Sequence, residues 1–108
     1  MKTWEIMSWQ PTGWPEAHPA VIVSHPNRVA NKPEVNVLMC STKPATRPAK
    51  ADEVILDQND GLSWPTLCRC DLLFLVNKSD LKHQRGMVTE ERRRHIITTI
   101  NRSNGWII

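Results

Sequence analysis

Residues 66–76, TLCRCDLLFLV, form the stretch of sequence that decides the fold. The stretch is too long and too apolar for an edge strand alone, so it predicts a central strand with a bend near Asp71. Successive side chains of a strand point to opposite faces, which places Cys68 and Cys70 on one face and Arg69 and Asp71 on the other. The two charged side chains then start roughly 7 Å apart on one surface.

Eight prolines divide the rest of the chain into short pieces, and the apolar ones are rich in Val, Ile, Leu and Trp. Such pieces favour strands separated by loops. Further strands are predicted at residues 3–9, 20–24, 34–40 and 53–57, with a last short strand at 87–88. A turn or short helical turn is predicted at 25–33, and a short helix or turns at 77–86.

The pattern changes at Thr89, where a helix is predicted. Thr89 can cap its first turn, the two glutamates that follow suit the positive end of the helix, and Gly105 is a plausible stop. Isoleucines recur at helical spacing at positions 96, 97 and 100. The sequence therefore predicts a mainly β (α+β) fold, a small curved antiparallel barrel closed by a C-terminal helix.

Length and charge set the broad class of the protein. A chain of 108 residues predicts a single domain spanning residues 1–108. Lys and Arg outnumber Asp and Glu by 14 to 11, which permits an anionic partner such as nucleic acid without requiring one. Neither a cleavable leader nor an apolar run of membrane-spanning length is evident, so we expect a cytoplasmic protein that does not enter a membrane.

The cysteines of this sequence are predicted to pack in the core and not to bind a metal. Zinc sites usually have two to four residues between paired cysteines, whereas Cys68 and Cys70 are separated by one, and the chain has no second pair. On a strand they share a face with Leu72, which is typical of small apolar core residues. We therefore expect no metal and no cofactor.

Arg69 and Asp71 are the first candidates for chemistry. An arginine can hold a phosphate through two parallel hydrogen bonds and stabilise charge that develops on it, while a carboxylate can move a proton. The alternative is a salt bridge on the sheet surface, and these two residues alone favour that alternative.

The segment 40–50, CSTKPATRPAK, carries hydroxyls and spaced cations on a loop stiffened by prolines. Such a loop suits a nucleic-acid backbone, because the prolines limit the entropy lost on binding. A solvated loop with a capping hydroxyl is an equally good interpretation. The candidate phosphate- or RNA-binding residues are Ser41, Thr42, Lys43 and Arg47.

Two further candidates lie in or next to the first loop. His18 precedes Pro19, where the backbone is biased to be extended, and an imidazole can act as a general acid or base. Trp14 could stack on a base of a nucleic acid. A surface or structural role is the alternative for both.

The order of these pieces resembles the PemK/MazF family of toxins from type II toxin–antitoxin systems. The resemblance runs from WEI, PTG and HPAVIVS through VLMCST and DGL to CRCD and the C-terminal helix. It implies an SH3-like (PemK-like) barrel that forms a homodimer, cleaves single-stranded RNA as an mRNA interferase, and is held inactive by a cognate antitoxin. Arg69 and Asp71 match the catalytic pair of the PemK-like branch, and Ser41 and Thr42 match the hydroxyls that orient the scissile phosphate.

The reaction implied by the resemblance needs no metal. A base takes the proton from the ribose 2′-hydroxyl, the oxygen attacks the adjacent phosphate, and a 2′,3′-cyclic phosphate results. Asp71 is the expected base and Arg69 the group that stabilises the charge. His18 stands where the family usually has an arginine, and is the third catalytic candidate.

Two rival functions remain open from the sequence. One is a same-fold inhibitor of a protein target such as DNA gyrase, like the CcdB branch, which would use the C-terminal tail GWII, residues 105–108. The other is a relative that binds nucleic acid without cleaving it.

Overall fold

A computed structural model describes residues 1–106 of the chain. The strands are β1 Glu5–Trp9, β2 His18–Ile22, β3 Glu34–Cys40, β4 Glu53–Leu56, β5 Thr66–Asn77 and β6 Leu81–Met87. The helices are α1 Pro26–Asn31 and α2 Glu90–Ser103, and 3₁₀ turns occupy Gln58–Asp60 and Lys78–Asp80. No helix within residues 1–106 combines the length and apolar character needed to cross a bilayer.

All strand pairs in this part of the chain are antiparallel, and the strands lie in the order β4-β5-β3-β2-β1-β6. The predicted fold class, a mainly β antiparallel sheet with a C-terminal helix, is confirmed. The sheet is not closed into a barrel by strand pairing. Instead, the turn after β4 packs against Gly86 of β6, so that an added Cβ at Gly86 would lie 2.0 Å from the carbonyl oxygen of Asp60.

Strand β5 has neighbours on both sides, as its apolar sequence predicts. Its first residues, Thr66–Arg69, pair with β4, and residues 73–77 pair with β3. Between the pairs Cys40↔Cys68 and Leu38↔Leu73, four residues of β5 oppose one of β3. This irregularity coincides with the bend predicted near Asp71, and it contains both Arg69 and Asp71.

The core consists of two clusters on the two faces of the sheet. The first contains the three cysteines, which are buried free thiols, and the predicted packing role of Cys68 and Cys70 is confirmed. The expected burial of Leu72 beside them is wrong: its side chain is 37% exposed, because the strand is irregular at this point. The second cluster is built from β1, β2 and β3 together with Val29 of α1, Val76 and Leu81.

The C-terminal helix begins as the sequence predicts. The Thr89 hydroxyl accepts a hydrogen bond from the backbone N–H of Arg92 at 3.3 Å, and the chain leaves the helix at Gly105 with φ +69°. Ile96 is fully buried, but Ile97 is 47% exposed, so its predicted place on the core face is wrong. The helix packs against β4 and β5.

The prediction for residues 77–86 is largely wrong. Lys78–Asp80 do form a 3₁₀ turn, but Leu81–Met87 form a seven-residue strand paired with β1. The strand lies at the edge of the sheet and its residues 82–85 are exposed, so it lacks the apolar alternation by which strands are recognised.

Candidate active site

Arg69 and Asp71 lie side by side on β5, as their spacing predicts. Arg69 donates two hydrogen bonds to the carboxylate of Asp71, from Nε to Oδ1 at 3.1 Å and from Nη2 to Oδ2 at 3.0 Å. Such a parallel pair fixes the plane of the guanidinium. Both side chains remain partly exposed, so an incoming anion can reach Arg69.

The pairing changes the acidity of both groups. The hydrogen bonds from Arg69 hold the pKa of Asp71 below its ordinary value of 3.8, although partial burial opposes the shift. The same contact raises the pKa of Arg69. Asp71 is therefore an ionised carboxylate above about pH 4 and a weak base, while Arg69 is a permanent cation.

An open groove of about 260 Å³ lies beside this pair. Three predicted site residues besides Arg69 line it, namely His18, Ser41 and Arg47, and Glu53 lines it as well. The remaining lining residues, Met39, Cys40 and Leu67, form its apolar floor and walls. The structure thus brings together candidates that are up to 51 positions apart in the chain, from His18 to Arg69.

His18 presents one free ring nitrogen. Its Nδ1 lies 3.2 Å from the backbone carbonyl oxygen of Cys40. A carbonyl oxygen can only accept, so Nδ1 must carry the hydrogen, and Nε2 is then the nitrogen that can accept a proton. Within residues 1–106 no side chain or backbone group is hydrogen-bonded to Nε2. The ring also packs edge-on against Trp14, with the ring centres 4.8 Å apart.

The hydroxyls of Ser41 and Thr42 already have protein partners. Ser41 Oγ donates to the carbonyl oxygen of Lys43 at 3.1 Å and accepts from the N–H of Leu67 at 3.2 Å, which ties the loop after β3 to β5. Thr42 Oγ1 donates to Glu16 Oε1 at 3.2 Å and so connects this loop to the first loop. Ser41 forms a wall of the groove, while Thr42 lies in a neighbouring depression.

Arg47 is held by a carboxylate that the sequence interpretation missed. Its guanidinium donates to both oxygens of Glu53, at 2.7 and 2.9 Å, and the N–H of Lys50 donates to Glu53 Oε1 at 2.8 Å. These contacts hold the pKa of Glu53 at about 2, with the bond from Arg47 the largest cause. Arg47 therefore positions the loop, whereas Lys43 is exposed and does not line the groove.

Glu53→Gln is expected to lower the free energy of unfolding at pH 7 by about 1–3 kcal/mol, because it removes a hydrogen-bonded buried charge opposite Arg47. The folded pKa of about 2 lies below the ordinary 4.5, so the stabilisation is complete above pH 4.5 and disappears as the pH falls towards 2. Urea unfolding of the wild type and the variant between pH 7 and pH 2 measures this loss of stability.

The matched control for this change is Glu34→Gln, since Glu34 makes no side-chain ion pair in the described part of the chain. The difference in the free energy of unfolding between the two variants should be large at pH 7 and small at pH 2. A constant difference across that range would show that Glu53 acts by packing and not by charge.

Glu53, Glu16 and Arg85 are site or near-site residues that sequence reasoning did not single out. Glu53 lies opposite Arg69 in the strand pairing, a register that the sequence does not reveal. The pairing Glu16 to Thr42 joins two loops 26 residues apart. The run LKHQR, residues 81–85, could have indicated an exposed edge strand that includes Arg85, because closely spaced polar and basic residues are common on such strands.

Comparison with known proteins gives matches in structure but not in sequence. No family model and no curated protein matches the chain. Solved structures with a similar fold include the Mycobacterium tuberculosis toxin MazF-mt6, with a TM-score of 0.79 and 23% identity over 94% of this chain and 96% of that one. An endoribonuclease from a mycobacterial species, solved in complex with its cognate antitoxin, has a TM-score of 0.85 and 21% identity over 100% of this chain and 98% of that one.

A third similar structure, MazE-MazF from Deinococcus radiodurans, gives a TM-score of 0.75 with 12% identity over 97% of this chain and 95% of that one. Identities this low establish the fold alone. The resemblance inferred from the order of motifs is therefore confirmed at the level of fold, which is that of the MazF toxins.

Proposed function

We propose that this chain is the endoribonuclease toxin of a type II toxin–antitoxin system and cleaves single-stranded RNA without a metal, leaving a 2′,3′-cyclic phosphate. The observation that carries the proposal is the groove itself. It places a proton-accepting imidazole nitrogen of His18 and the oriented guanidinium of Arg69 on the same open surface. A phosphodiester with an adjacent 2′-hydroxyl is the substrate that uses both groups.

The geometry favours His18 over Asp71 as the base, which differs from the assignment suggested by the sequence. Asp71 uses both oxygens to hold Arg69, and its lowered pKa makes it a poor proton acceptor. His18 Nε2 takes the proton of the 2′-hydroxyl as the P–O2′ bond forms. Asp71 then keeps the guanidinium of Arg69 aimed at the charge that develops on the phosphate.

The P–O5′ bond breaks in the same displacement. Because its pKa is raised, Arg69 is a poor acid, so it stabilises the departing oxygen by charge and water supplies the proton. Ser41, whose own hydrogen is donated to the Lys43 carbonyl, acts as a fixed wall that positions the phosphate. Lys43 adds an exposed cation on the loop after β3, and Trp14 supplies a surface for a base.

We propose further that the protein acts as a homodimer and is inhibited by a cognate antitoxin. Leu73 and Leu75, which share one face of the regularly paired part of β5, are 38% and 54% exposed, which is what a surface covered by a second copy requires. The mycobacterial endoribonuclease of the same fold was solved with its antitoxin, which supports the second part.

The gyrase-inhibitor alternative has less support in the described residues. It depends on the tail GWII, of which Trp106 is 57% exposed and Ile107 and Ile108 lie outside the described residues. Nothing in that alternative uses the Arg69–Asp71 pair or the free nitrogen of His18.

The test is incubation of the purified protein with a single-stranded RNA and with the DNA of the same sequence, both in EDTA. We expect cleavage of the RNA alone, with 5′-hydroxyl products whose 3′ ends weigh one water less than a 3′-phosphate. No cleavage, or products that carry 5′-phosphates, would contradict the proposal. Intact RNA that is nevertheless retained by the protein would favour the non-cleaving relative.

A further inference from the structure

A second, larger groove of about 640 Å³ runs along the exposed edge strand β6. We call it the β6 groove, and the residues that matter for its chemistry are Ser8, Trp14, Asp80, Lys82, His83 and Arg85. Within residues 1–106, none of the residues that line it also lines the groove of Arg69.

The β6 groove is cationic. Lys82 and Arg85 are exposed, and within residues 1–106 neither makes an ion pair with a carboxylate. Among residues 1–106, Asp80 is the only carboxylate that lines the groove, and His83 adds an imidazole. An edge strand can carry charges merely to prevent aggregation, but such charges need not converge on a groove.

Arg85 is held in a fixed orientation at one end of the β6 groove. Its Nε donates to the hydroxyl of Ser8 at 2.6 Å, and Ser8 is only 9% exposed. Arg85 also lines the small depression that contains Thr42 and Trp64, and Ser41 belongs both to that depression and to the groove of Arg69. A continuous surface therefore leads from the cleavage site past Ser41 to Arg85.

The strand is irregular at the residues that face this groove. In the pairing of β1 with β6, Ser8 is opposite Lys82, Met7 opposite Gln84 and Ile6 opposite Gly86. His83 and Arg85 are thus extra residues in two successive bulges, and His83 has φ +46°, which is uncommon for a residue with a side chain. Bulges at sheet edges often redirect side chains towards a binding site.

Trp14 offers an ordered aromatic surface at the other end. Its side chain is 37% exposed, and its remaining surface packs on Trp9 and His18, at ring-centre distances of 6.0 and 4.8 Å. The backbone of Trp14 is fixed by hydrogen bonds with Pro11 and Gln10, at 3.0 and 2.8 Å. A ring held in this way can stack on a base with little loss of entropy.

From these contacts we infer that the β6 groove is a second nucleotide subsite, in which a base flanking the cleaved bond stacks on Trp14 while its phosphate binds Arg85 and Lys82. The inference rests on the proposed RNA substrate and extends it. Single-stranded RNA is favoured over an acidic protein segment because the groove joins an aromatic platform to cations and continues to the cleavage site.

The test compares the dissociation constants of two non-cleavable RNAs, with a 2′-methoxy group at the cleaved position. The short RNA covers the cleaved bond alone, and the long one extends by three nucleotides on each side. For the wild type we expect the long RNA to bind at least tenfold more tightly than the short one. In Trp14→Ala and in Lys82→Ala this ratio should fall severalfold, and in Lys82→Ala the salt dependence of long-RNA binding should weaken by about one counterion.

Lys32→Ala is the matched control, since Lys32 is an exposed lysine that follows α1 and lines neither groove. The ratio of the two dissociation constants should be the same in this variant as in the wild type. Unchanged ratios in both groove variants would overturn the subsite. The subsite would also be overturned if the same substitutions weakened the binding of a short poly-glutamate peptide but left the ratio for the two RNAs unchanged. If the wild type cleaves RNA while these ratios stay unchanged, only the subsite fails; if it cleaves no RNA, the proposed function fails.

Discussion

Arg69→Ala is expected to lower the single-turnover rate of RNA cleavage by about 10³-fold at saturating RNA. The guanidinium lines the groove, is permanently charged and is aimed by its bidentate contact with Asp71 on the same strand, and removing one such donor typically costs 10²–10³-fold in rate. The variant should remain folded, because Arg69 is partly exposed and its pair lies on the surface. Quenched-flow or gel-based single-turnover assays measure the rate.

Two further variants make the result specific. Arg69→Lys keeps the charge but not the parallel pair of hydrogen bonds, and should recover only part of the rate. Asp71→Asn keeps the shape of the side chain, and on the proposed mechanism it loosens Arg69 and lowers the rate by about 10-fold to 100-fold. A rate for Arg69→Ala within threefold of the wild type would contradict the assignment.

The pH dependence separates the two possible bases. Because the pKa of Asp71 is lowered below 3.8 by Arg69, a mechanism in which Asp71 is the base keeps its full rate down to about pH 4. With His18 as the base, His18→Gln removes the proton acceptor and should lower the rate at every pH, whereas with Asp71 as the base the same substitution leaves the rate nearly unchanged. A rate in His18→Gln that stays near the wild-type value down to about pH 4 would return the role of base to Asp71.

Gly86→Ala is expected to destabilise the protein by about 3 kcal/mol or more. An added Cβ would lie 2.0 Å from the carbonyl oxygen and 3.1 Å from the carbonyl carbon of Asp60, and these are backbone atoms that cannot turn away. The side chain of Asp60 is 1% exposed and accepts hydrogen bonds from the N–H groups of Asp57 and Thr89, so the turn cannot shift freely. Equilibrium unfolding in urea measures the loss.

Gln84→Ala is the control for this change, since Gln84 is an exposed residue of the same strand and its truncation should alter stability by no more than about 0.5 kcal/mol. A similarly small effect of Gly86→Ala would mean that the turn at Asp60 does not hold the two edges of the sheet together as the structure indicates.

Strands with a buried face and a helix with a clear cap were predictable from the sequence. Strand β3 spans residues 34–40 as predicted, and Thr89 caps α2 as predicted, because burial and capping are local patterns. Strand β6 was not predictable, since its exposed residues obey no apolar alternation and its pairing with β1 depends on bulges. Ile97 illustrates the limit of helical spacing, which identifies a face only within about one residue.

Contacts within the candidate site were predictable where the two residues are close in sequence, and unpredictable where they are far apart in sequence. The contact between Arg69 and Asp71 follows from their spacing on one strand. The hold of Glu53 on Arg47, the contact of Glu16 with Thr42 and the bond from His18 to the Cys40 carbonyl follow from the packing of loops and strands that are far apart in sequence. For that reason the sequence suggested other roles for Arg47 and Asp71 than those their contacts support. Arg47 is held by Glu53 and positions the loop, and Asp71 holds Arg69 and is a poor base.

Cleavage of RNA through the neighbouring 2′-hydroxyl depends on one oxygen atom of the substrate. Once the cleaved bond has been mapped in an all-RNA oligonucleotide, the same sequence is made with a single 2′-deoxy ribose on the 5′ side of that bond and is incubated with the wild type in EDTA. We expect that cleavage at this bond is abolished while the oligonucleotide still binds. Cleavage of the deoxy-substituted bond would rule out the proposed mechanism, because the nucleophile would be absent.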